Sequence, residues 1–205
     1  MKKNYEDYIL AVWEIMETND RVLIKDVGER LKTSVPTAWE ELHRLKSMGF
    51  ITFEKEGVKF TEVGYQIAKR IIMNHRIAEL FVYKMLEVPW QDAHEEVMEF
   101  EHSLKDILMD KLWKNMGNPL TCPHGNPINP EEKGNEINLN EVGDGKYKLK
   151  RITYEDHTLL RNLASNFIFP GTEVMITKYD KGWEISGPNG KTEVNLKLAR
   201  SIRLM

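Results

Sequence analysis

SVPTAWEELHRLKSMG, residues 34–49, carries the pattern from which the architecture of the chain follows. Ser34 and Pro36 are residues that favour a helix start, and Gly49 suits the position just past a helix end. A shorter helix, residues 25–31, precedes this one across a tight turn, and two alternating strands, residues 50–53 and 58–61, follow it. Helix, turn, helix and hairpin in this order predict a winged helix-turn-helix that binds DNA. The alternative is a small helical domain without a ligand.

Helical periodicity continues on both sides of this pattern. Residues 4–18 form an amphipathic helix with Asp7 in its first turn, where a carboxylate suits the helix dipole. Thr61 is a suitable N-cap for a long helix that reaches His75 and extends toward Leu86. Residues 77–88 are apolar on more than one face, and such a helix is buried both in its own fold and against a partner. This segment therefore predicts homodimerisation.

A second pattern lies in AHEEVMEFEH, residues 93–102, within a helix predicted from about residue 91 to 115. Upstream, His75 and Glu79 stand at i and i+4 on one helix face. Imidazole, thioether and carboxylate groups are ligands for divalent transition metals, whereas the alternative is a solvated helix face with a core methionine. Four candidate ligands of the downstream helix fall within a stripe of about 100°: His94, Met98, Glu101 and His102.

The composition changes after residue 117, where Gly, Pro, Asn and Glu predict a linker. Within it, Cys122 and His124 flank a proline and are able to reach one ion, although a Cys-x-His pattern alone leaves ligation open. Beyond residue 146, short alternating strands at 147–152, 173–178, 183–186 and 192–196 and one helix, about 156–166, predict a small barrel.

The overall composition is that of a globular chain of 205 residues, 41 % hydrophobic and 30 % charged. No apolar run is long enough to span a bilayer, and the N-terminus lacks the apolar core of a secretory signal. Cys122 is the single cysteine, which excludes internal disulfides and suits a reducing cytoplasm. The net charge is −3, but residues 90–140 carry −6, and a divalent cation would relieve part of that repulsion.

These elements, in this order, resemble the diphtheria-toxin-repressor family of iron- or manganese-dependent transcriptional repressors over the whole length of the chain. The most specific stretches are residues 34–37, 75–79 and 94–102. The resemblance implies a cytoplasmic, non-enzymatic homodimer that binds operator DNA when loaded with metal and controls metal homeostasis genes. It also implies an α+β fold with four segments: a winged helix-turn-helix domain at 1–72, a helical metal-binding and dimerisation domain at 73–118, a Pro/Gly/Asn-rich linker at 119–145 and an SH3-like β-barrel at 146–205.

The resemblance further implies two metal sites. The regulatory site would comprise Asp7, Met98, Glu101 and His102. The second site would comprise His75, Glu79 and His94, joined in some members by Cys122, His124 and an acid of the barrel that matches Asp156.

The combination of Asp7 with Met98 is a hybrid of two patterns in the family. Iron-type members pair a methionine in the first helix with a later cysteine, and manganese-type members pair aspartate with glutamate. Because a thioether suits Mn²⁺ poorly, we expect Fe²⁺, with Mn²⁺ as the alternative and other divalent transition metals able to substitute.

The DNA contacts are expected on the second helix of the helix-turn-helix and on the wing. Glu40 departs from the smaller, neutral residue of iron-type members; it can accept from a cytosine amino group but repels phosphates, so we expect a different operator. Base contacts are assigned to Ser34, Pro36, Thr37 and Glu40, and phosphate contacts to Arg44, Lys46 and Lys59.

Two other classes of function stay open at this point. One is a metal-dependent hydrolase that uses His75, Glu79 and His94 around an activated water. The other is a metal-independent dimeric DNA-binding regulator whose barrel senses a peptide or small molecule. Metal analysis of the purified protein separates them, because only the last predicts no bound metal.

Overall fold

The computed structural model describes residues 5–104, 106–132 and 134–205, and the chain divides into two compact units, Met1–Asn74 and His75–Met205. The predicted helix start at residue 4, and positions 105 and 133 of the predicted long helix and linker, lie outside the described residues. Within the described ranges, no helix combines the length and the hydropathy that crossing a bilayer requires.

The first unit has the predicted winged helix-turn-helix. Ser34 caps α3 by accepting a hydrogen bond from the Thr37 amide at 3.2 Å, and Thr61 caps α4 by accepting from the Gly64 amide at 3.0 Å. Strands β1 and β2 pair antiparallel as the wing. The elements are α1 (Tyr5–Thr18), α2 (Ile24–Arg30), α3 (Val35–Ser47), β1 (Ile51–Glu54), β2 (Gly57–Phe60) and the start of α4 (Glu62–Met85).

The second unit begins with the remainder of α4, followed by α5 (Ala93–Phe100), a 3-10 turn (Glu101–Ser103) and α6 (Asp106–Asn115). The prediction of one helix from 91 to 115 is therefore wrong. The Leu104 amide donates to the Glu101 carbonyl three residues earlier, at 3.0 Å, so α-helical hydrogen bonding stops there. Val97 and Met109, one on each side of the interruption, are both buried in one core with α4.

The segment predicted as a linker is built into both cores of this unit. Cys122 and Ile128 are buried with α4, α5 and α6, whereas Leu139 and Val142 are buried with the strands that follow. Ile137–Asn138 forms a short strand, β3, and Leu139–Glu141 a 3-10 turn. The segment has the turns that its composition predicts, but the few apolar residues between the turns anchor it in the two cores.

The C-terminal part is an antiparallel sheet in the order β3-β8-β4-β5-β6-β7. Its apolar faces and Trp90 form one core. An SH3-like sheet agrees with the predicted fold class, but among the described residues β3 and β7 do not pair, so the barrel is open. The elements are β4 (Gly145–Ile152), α7 (His157–Ser165), β5 (Glu173–Tyr179), β6 (Gly182–Gly187), β7 (Gly190–Asn195), α8 (Leu196–Ala199) and β8 (Ile202–Leu204).

Candidate metal centre

A group of buried potential metal ligands lies inside the second unit, and we call it the His/Glu cluster. Each of its side chains is at most 6 % exposed, which is unusual for carboxylates and imidazoles unless they are paired or bind a metal. The members are His75, Glu79, His94, Cys122, His124 and Glu155.

Helices α4 and α5 supply three of these side chains, and Glu155 completes a first set. The i, i+4 spacing on α4 places His75 Nε2 3.1 Å from Glu79 Oε1. His94 Nδ1, from α5, lies 3.0 Å from His75 Nε2 and 2.7 Å from Glu155 Oε2. Neighbouring ligands of an octahedral ion with bonds of about 2.1 Å are about 3 Å apart, so these separations fit a bound ion.

A tight turn supplies the other two ligands. The Cys122 amide donates to the Asn126 carbonyl at 2.8 Å, which holds Cys122 and His124 at one end of the turn. His124 Nε2 donates to the Trp90 carbonyl at 2.9 Å, so Nδ1 faces the carboxylates, 3.2 Å from Glu155 Oε1. Such a hydrogen bond behind the ring is typical of metal-binding histidines, because it fixes the tautomer.

Charge in the cluster is shared between carboxylates and imidazoles. Burial by itself raises the pKa of Glu79, but His75 and His124 hold it well below its usual range. Burial lowers the pKa of His75, yet the Glu101 and Glu79 carboxylates raise it well above its ordinary value. Without metal, therefore, protons on the imidazoles compensate the carboxylates.

Several buried polar atoms of this region make no hydrogen bond to any described residue: Glu79 Oε2, Glu101 Oε1, His124 Nδ1 and Glu155 Oε2. His124 Nδ1 and Glu155 Oε2 have neighbours at ion-pair distance, but not in hydrogen-bond geometry. A buried acceptor left without a hydrogen bond costs about 1–3 kcal/mol, so this set of atoms lowers the stability of the metal-free fold. A divalent cation satisfies such a set, and the donors present fit one.

The predicted regulatory ligands belong to both units. Asp7 lies on α1 of the first unit, where its side chain is buried. Glu101 is buried in the 3-10 turn of the second unit, and Met98 and His102 are half-buried there. Glu101 Oε2 accepts from His75 Nδ1 at 2.8 Å, a contact between residues that the sequence assigned to different sites.

The structure corrects the acid expected from the barrel. Asp156 caps α7 by accepting from the Leu159 amide at 2.9 Å, and its neighbour Glu155 enters the cluster instead. The sequence signal was present, because two adjacent acids precede a helix and only one of them is able to serve as its cap.

All seven predicted DNA contacts are exposed. Two of them form salt bridges within the chain: Lys59 Nζ lies 2.6 Å from Glu54 Oε2, and Arg44 lies 3.6 Å from Glu41. The seven are Ser34, Pro36, Thr37, Glu40, Arg44, Lys46 and Lys59. The sequence did not predict that Trp39, 49 % exposed, would stack on His43 with ring centroids 3.7 Å apart.

Comparison with known proteins identifies the two N-terminal domains of the chain. Residues 1–58 match the family described as iron dependent repressor, N-terminal DNA binding domain, and residues 61–130 match iron dependent repressor, metal binding and dimerisation domain. The diphtheria toxin repressor of Corynebacterium jeikeium is 25 % identical over 97 % of this chain and 95 % of its own. The iron-dependent repressor IdeR of Mycobacterium bovis is 28 % identical over 65 % of this chain and 62 % of its own.

Solved structures show the same fold. IdeR of T. acidophilum superposes with a TM-score of 0.86 at 24 % identity, covering 100 % of this chain and 99 % of its own. The manganese regulator SloR superposes with a TM-score of 0.86 at 25 % identity and the same coverage. With both domain types matched in order, the chain belongs to the family of iron- and manganese-dependent transcriptional repressors.

Proposed function

We propose that this repressor binds operator DNA as a homodimer when divalent metal is bound, with Fe²⁺ as the physiological metal and Mn²⁺ as the alternative. The observation that carries the proposal is the buried His/Glu cluster with its unsatisfied carboxylate oxygens. The match to repressor domains favours DNA binding over the metal-dependent hydrolase that the same residues allowed.

The protein's own groups orient the ligands. The Trp90 carbonyl fixes the ring of His124, and the Glu101 carboxylate does the same for His75. A bound divalent ion would supply the positive charge that Glu79 and Glu155 otherwise obtain from protonated imidazoles. The ligands come from α4, α5, the 122–126 turn and the residue before the α7 cap, so metal binding ties these segments together.

We further propose that Asp7, Met98, Glu101 and His102 form the regulatory site. The free Glu101 Oε1 supports it, because this buried oxygen is available to an ion while Oε2 bonds to His75. The thioether of Met98 supports Fe²⁺ over Mn²⁺. Shifting a binding-competent state from 1:99 to 99:1 needs about 5.5 kcal/mol of differential metal affinity, which a set of metal–ligand bonds is able to supply.

Homodimerisation is supported by apolar side chains that the second unit leaves exposed. Met85 is 63 % exposed and Ile107 is 62 % exposed, although both helices that carry them also contribute to a buried core. Large exposed apolar side chains on packed helices are typical of protein interfaces. Tyr83 on α4, Leu86 just after it and Leu108 on α6 are exposed as well.

The test is binding to DNA of the chain's own promoter, titrated anaerobically with Fe²⁺ or Mn²⁺ and compared with chelator. We expect metal-dependent binding by the wild type, and a lost or weakened metal response in Asp7→Ala and Glu101→Ala. His157→Ala is the control, because the His157 side chain bonds to Asp92 and lies outside the cluster. Wild-type binding that chelator leaves unchanged would overturn metal activation, and an undiminished response in both variants would overturn the regulatory-site assignment.

A further inference from the structure

We propose that the His/Glu cluster binds two metal ions, bridged by the carboxylates of Glu79 and Glu155. The inference rests on the proposed function in treating the cluster as a metal site, and it concerns the number of ions and the residue that each uses. The regulatory site of Asp7 is separate from this count.

The six ligands form two groups of four rather than one group of six. His75 and His94 form one group with the two carboxylates, and Cys122 and His124 form the other with the same two. Within each group the ligand atoms lie within 4.8 Å of one another. Opposite ligands of a single octahedral ion are about 4.2 Å apart, so one ion serving all six residues would bring them into one group.

The two oxygens of Glu155 point to different groups. Oε2 lies 2.7 Å from His94 Nδ1, and Oε1 lies 3.2 Å from His124 Nδ1. Asn126 donates to Oε1 at 3.0 Å, which orients the carboxylate and leaves a second lone pair on that oxygen. A carboxylate whose oxygens face separate sets of nitrogen donors has the geometry of a bridge between ions about 3.5–4 Å apart.

Glu79 is the second shared group. Its Oε1 lies 3.1 Å from His75 Nε2 and 3.5 Å from His124 Nδ1, so this one atom faces donors of both groups. Its Oε2 is buried and has no hydrogen-bond partner among the residues that the structure describes. Glu79 therefore has one oxygen facing both groups and another that remains unused by the protein.

The charge supports two ions. Glu79, Glu155 and the Cys122 thiolate give three negative charges. One divalent ion leaves one of these buried charges uncompensated, whereas a second ion removes that deficit.

Three chain variants measure the number of ions. Full-length protein is loaded with Co²⁺ alone, at a free concentration that just saturates the wild type, and bound cobalt is counted by elemental analysis. His94→Ala removes a ligand of the first group, His124→Ala one of the second, and the double variant both. We expect a loss of one ion in each single variant and of two in the double variant, while His157→Ala loses none.

The thiolate-to-cobalt absorption band reports the second ion by itself. We expect the band to survive in His94→Ala and to vanish in Cys122→Ser. For the wild type, loading with Mn²⁺ should give the electron paramagnetic resonance spectrum of an exchange-coupled pair, a readout that needs no variant.

The outcomes separate the inference from the function on which it rests. If the double variant loses only the same single ion as each single variant, and Mn²⁺ shows no coupling, the cluster holds one ion and the inference fails while metal binding stands. If no variant loses metal, the cluster is not a metal site and that part of the proposed function fails as well. Thermal unfolding of each metal-free variant beside His157→Ala shows whether the fold is retained.

Discussion

The thiol of Cys122 is protonated at neutral pH in the metal-free chain, because burial, helped by the nearby Glu79 carboxylate, raises its pKa to about 11. A metal ligand must be the thiolate, so binding displaces this proton, and protons compete with metal as the pH falls. We expect the apparent Co²⁺ affinity to rise with pH. The slope of log affinity against pH should be about one unit smaller in Cys122→Ser than in the wild type. Equal slopes, measured by competition with a chelator, would show that Cys122 does not bind the ion.

Glu155 and Asp156 are neighbours with different roles, which a pair of variants separates. Glu155→Gln should weaken Co²⁺ binding, since it removes a charge from the cluster. Asp156→Ala should leave Co²⁺ binding intact but lower the free energy of unfolding by about 1 kcal/mol, because the cap of α7 is lost.

Asp156→Asn is the matched control for this pair, since asparagine caps a helix about as well as aspartate. Urea unfolding and metal competition measure the two effects. The roles would be reversed if Asp156→Asn weakened metal binding while Glu155→Gln did not.

For individual side chains, the sequence predicts those positions that follow from helical periodicity alone. His75 and Glu79 stand one turn apart on α4, so their shared face follows from the spacing. The choice between Glu155 and Asp156 depends on backbone direction at a helix start, which spacing does not encode. Asp156 adopts extended backbone angles of φ −67° and ψ 120°, and its side chain bonds to its own helix.

The 3-10 turn after α5 connects the two predicted metal sites through Glu101. Its Oε2 orients His75, whose other nitrogen faces the His/Glu cluster. Loss of such an outer partner typically costs 10–100-fold in metal affinity. We therefore expect Glu101→Gln to shift the Co²⁺ midpoint of the ion that His75 binds, counted by elemental analysis across a Co²⁺ titration, to higher concentration by about that factor.

The Cys122 thiolate band is the internal reference, because it reports the other ion, whose group contains neither His75 nor Glu101. Asp7→Ala is the comparison, since Asp7 belongs only to the predicted regulatory site. An unchanged midpoint in Glu101→Gln would show that the hydrogen bond does not couple the sites.

Helix α4 begins in close contact with the wing, at Gly64. A Cβ at this position would lie 1.7 Å from the Phe50 carbonyl oxygen, which is backbone and has little freedom to move. In an open helix, alanine is about 1 kcal/mol more favourable than glycine, but overpacking costs about 1–3 kcal/mol or more, so the clash outweighs the gain. We expect Gly64→Ala to lower the urea midpoint of the DNA-binding unit. Val63→Ala, at a 61 % exposed neighbour, should change it little; equal effects would contradict the contact.

Elements with regular periodicity are the ones that the sequence predicted well. The helices of the first unit, the wing and the strands from β4 to β7 all lie within a few residues of their predicted bounds. The break after α5 was missed because the stretch keeps helical spacing across it, while a side-chain bond from Glu101 to α4 is a tertiary contact. The burial of the 119–145 segment was not predicted, because its overall composition is polar and turn-rich and hides the few residues, such as Cys122 and Leu139, that are buried.

In the second unit, hydrogen bonds around the His/Glu cluster link the helices to the sheet. The Ile152 amide donates to the His124 carbonyl at 3.0 Å, and Arg76 donates to the Pro127 carbonyl at 2.8 Å. Trp90, which follows α4, is buried in the core of the sheet and donates to the Pro123 carbonyl at 2.8 Å. The 122–128 segment thus connects the helices to the sheet, and the ligands of the cluster come from the helices, from this segment and from the loop after β4.

Metal binding should therefore stabilise this unit as one body. A ligand that binds only the folded state adds about 2.7 kcal/mol when its free concentration is 100 times its Kd. We expect Co²⁺ to raise the unfolding temperature of the unit and chelator to lower it, with the shift reduced in Glu79→Gln and kept in His157→Ala. Amide exchange should slow across residues 122–128 on metal loading, because the turn that carries Cys122 and His124 then opens only with the ion released. Equal amide exchange rates with and without Co²⁺, at a concentration that saturates the thiolate band, would show that the site is already rigid without the ion and that metal binding does not stabilise the segment.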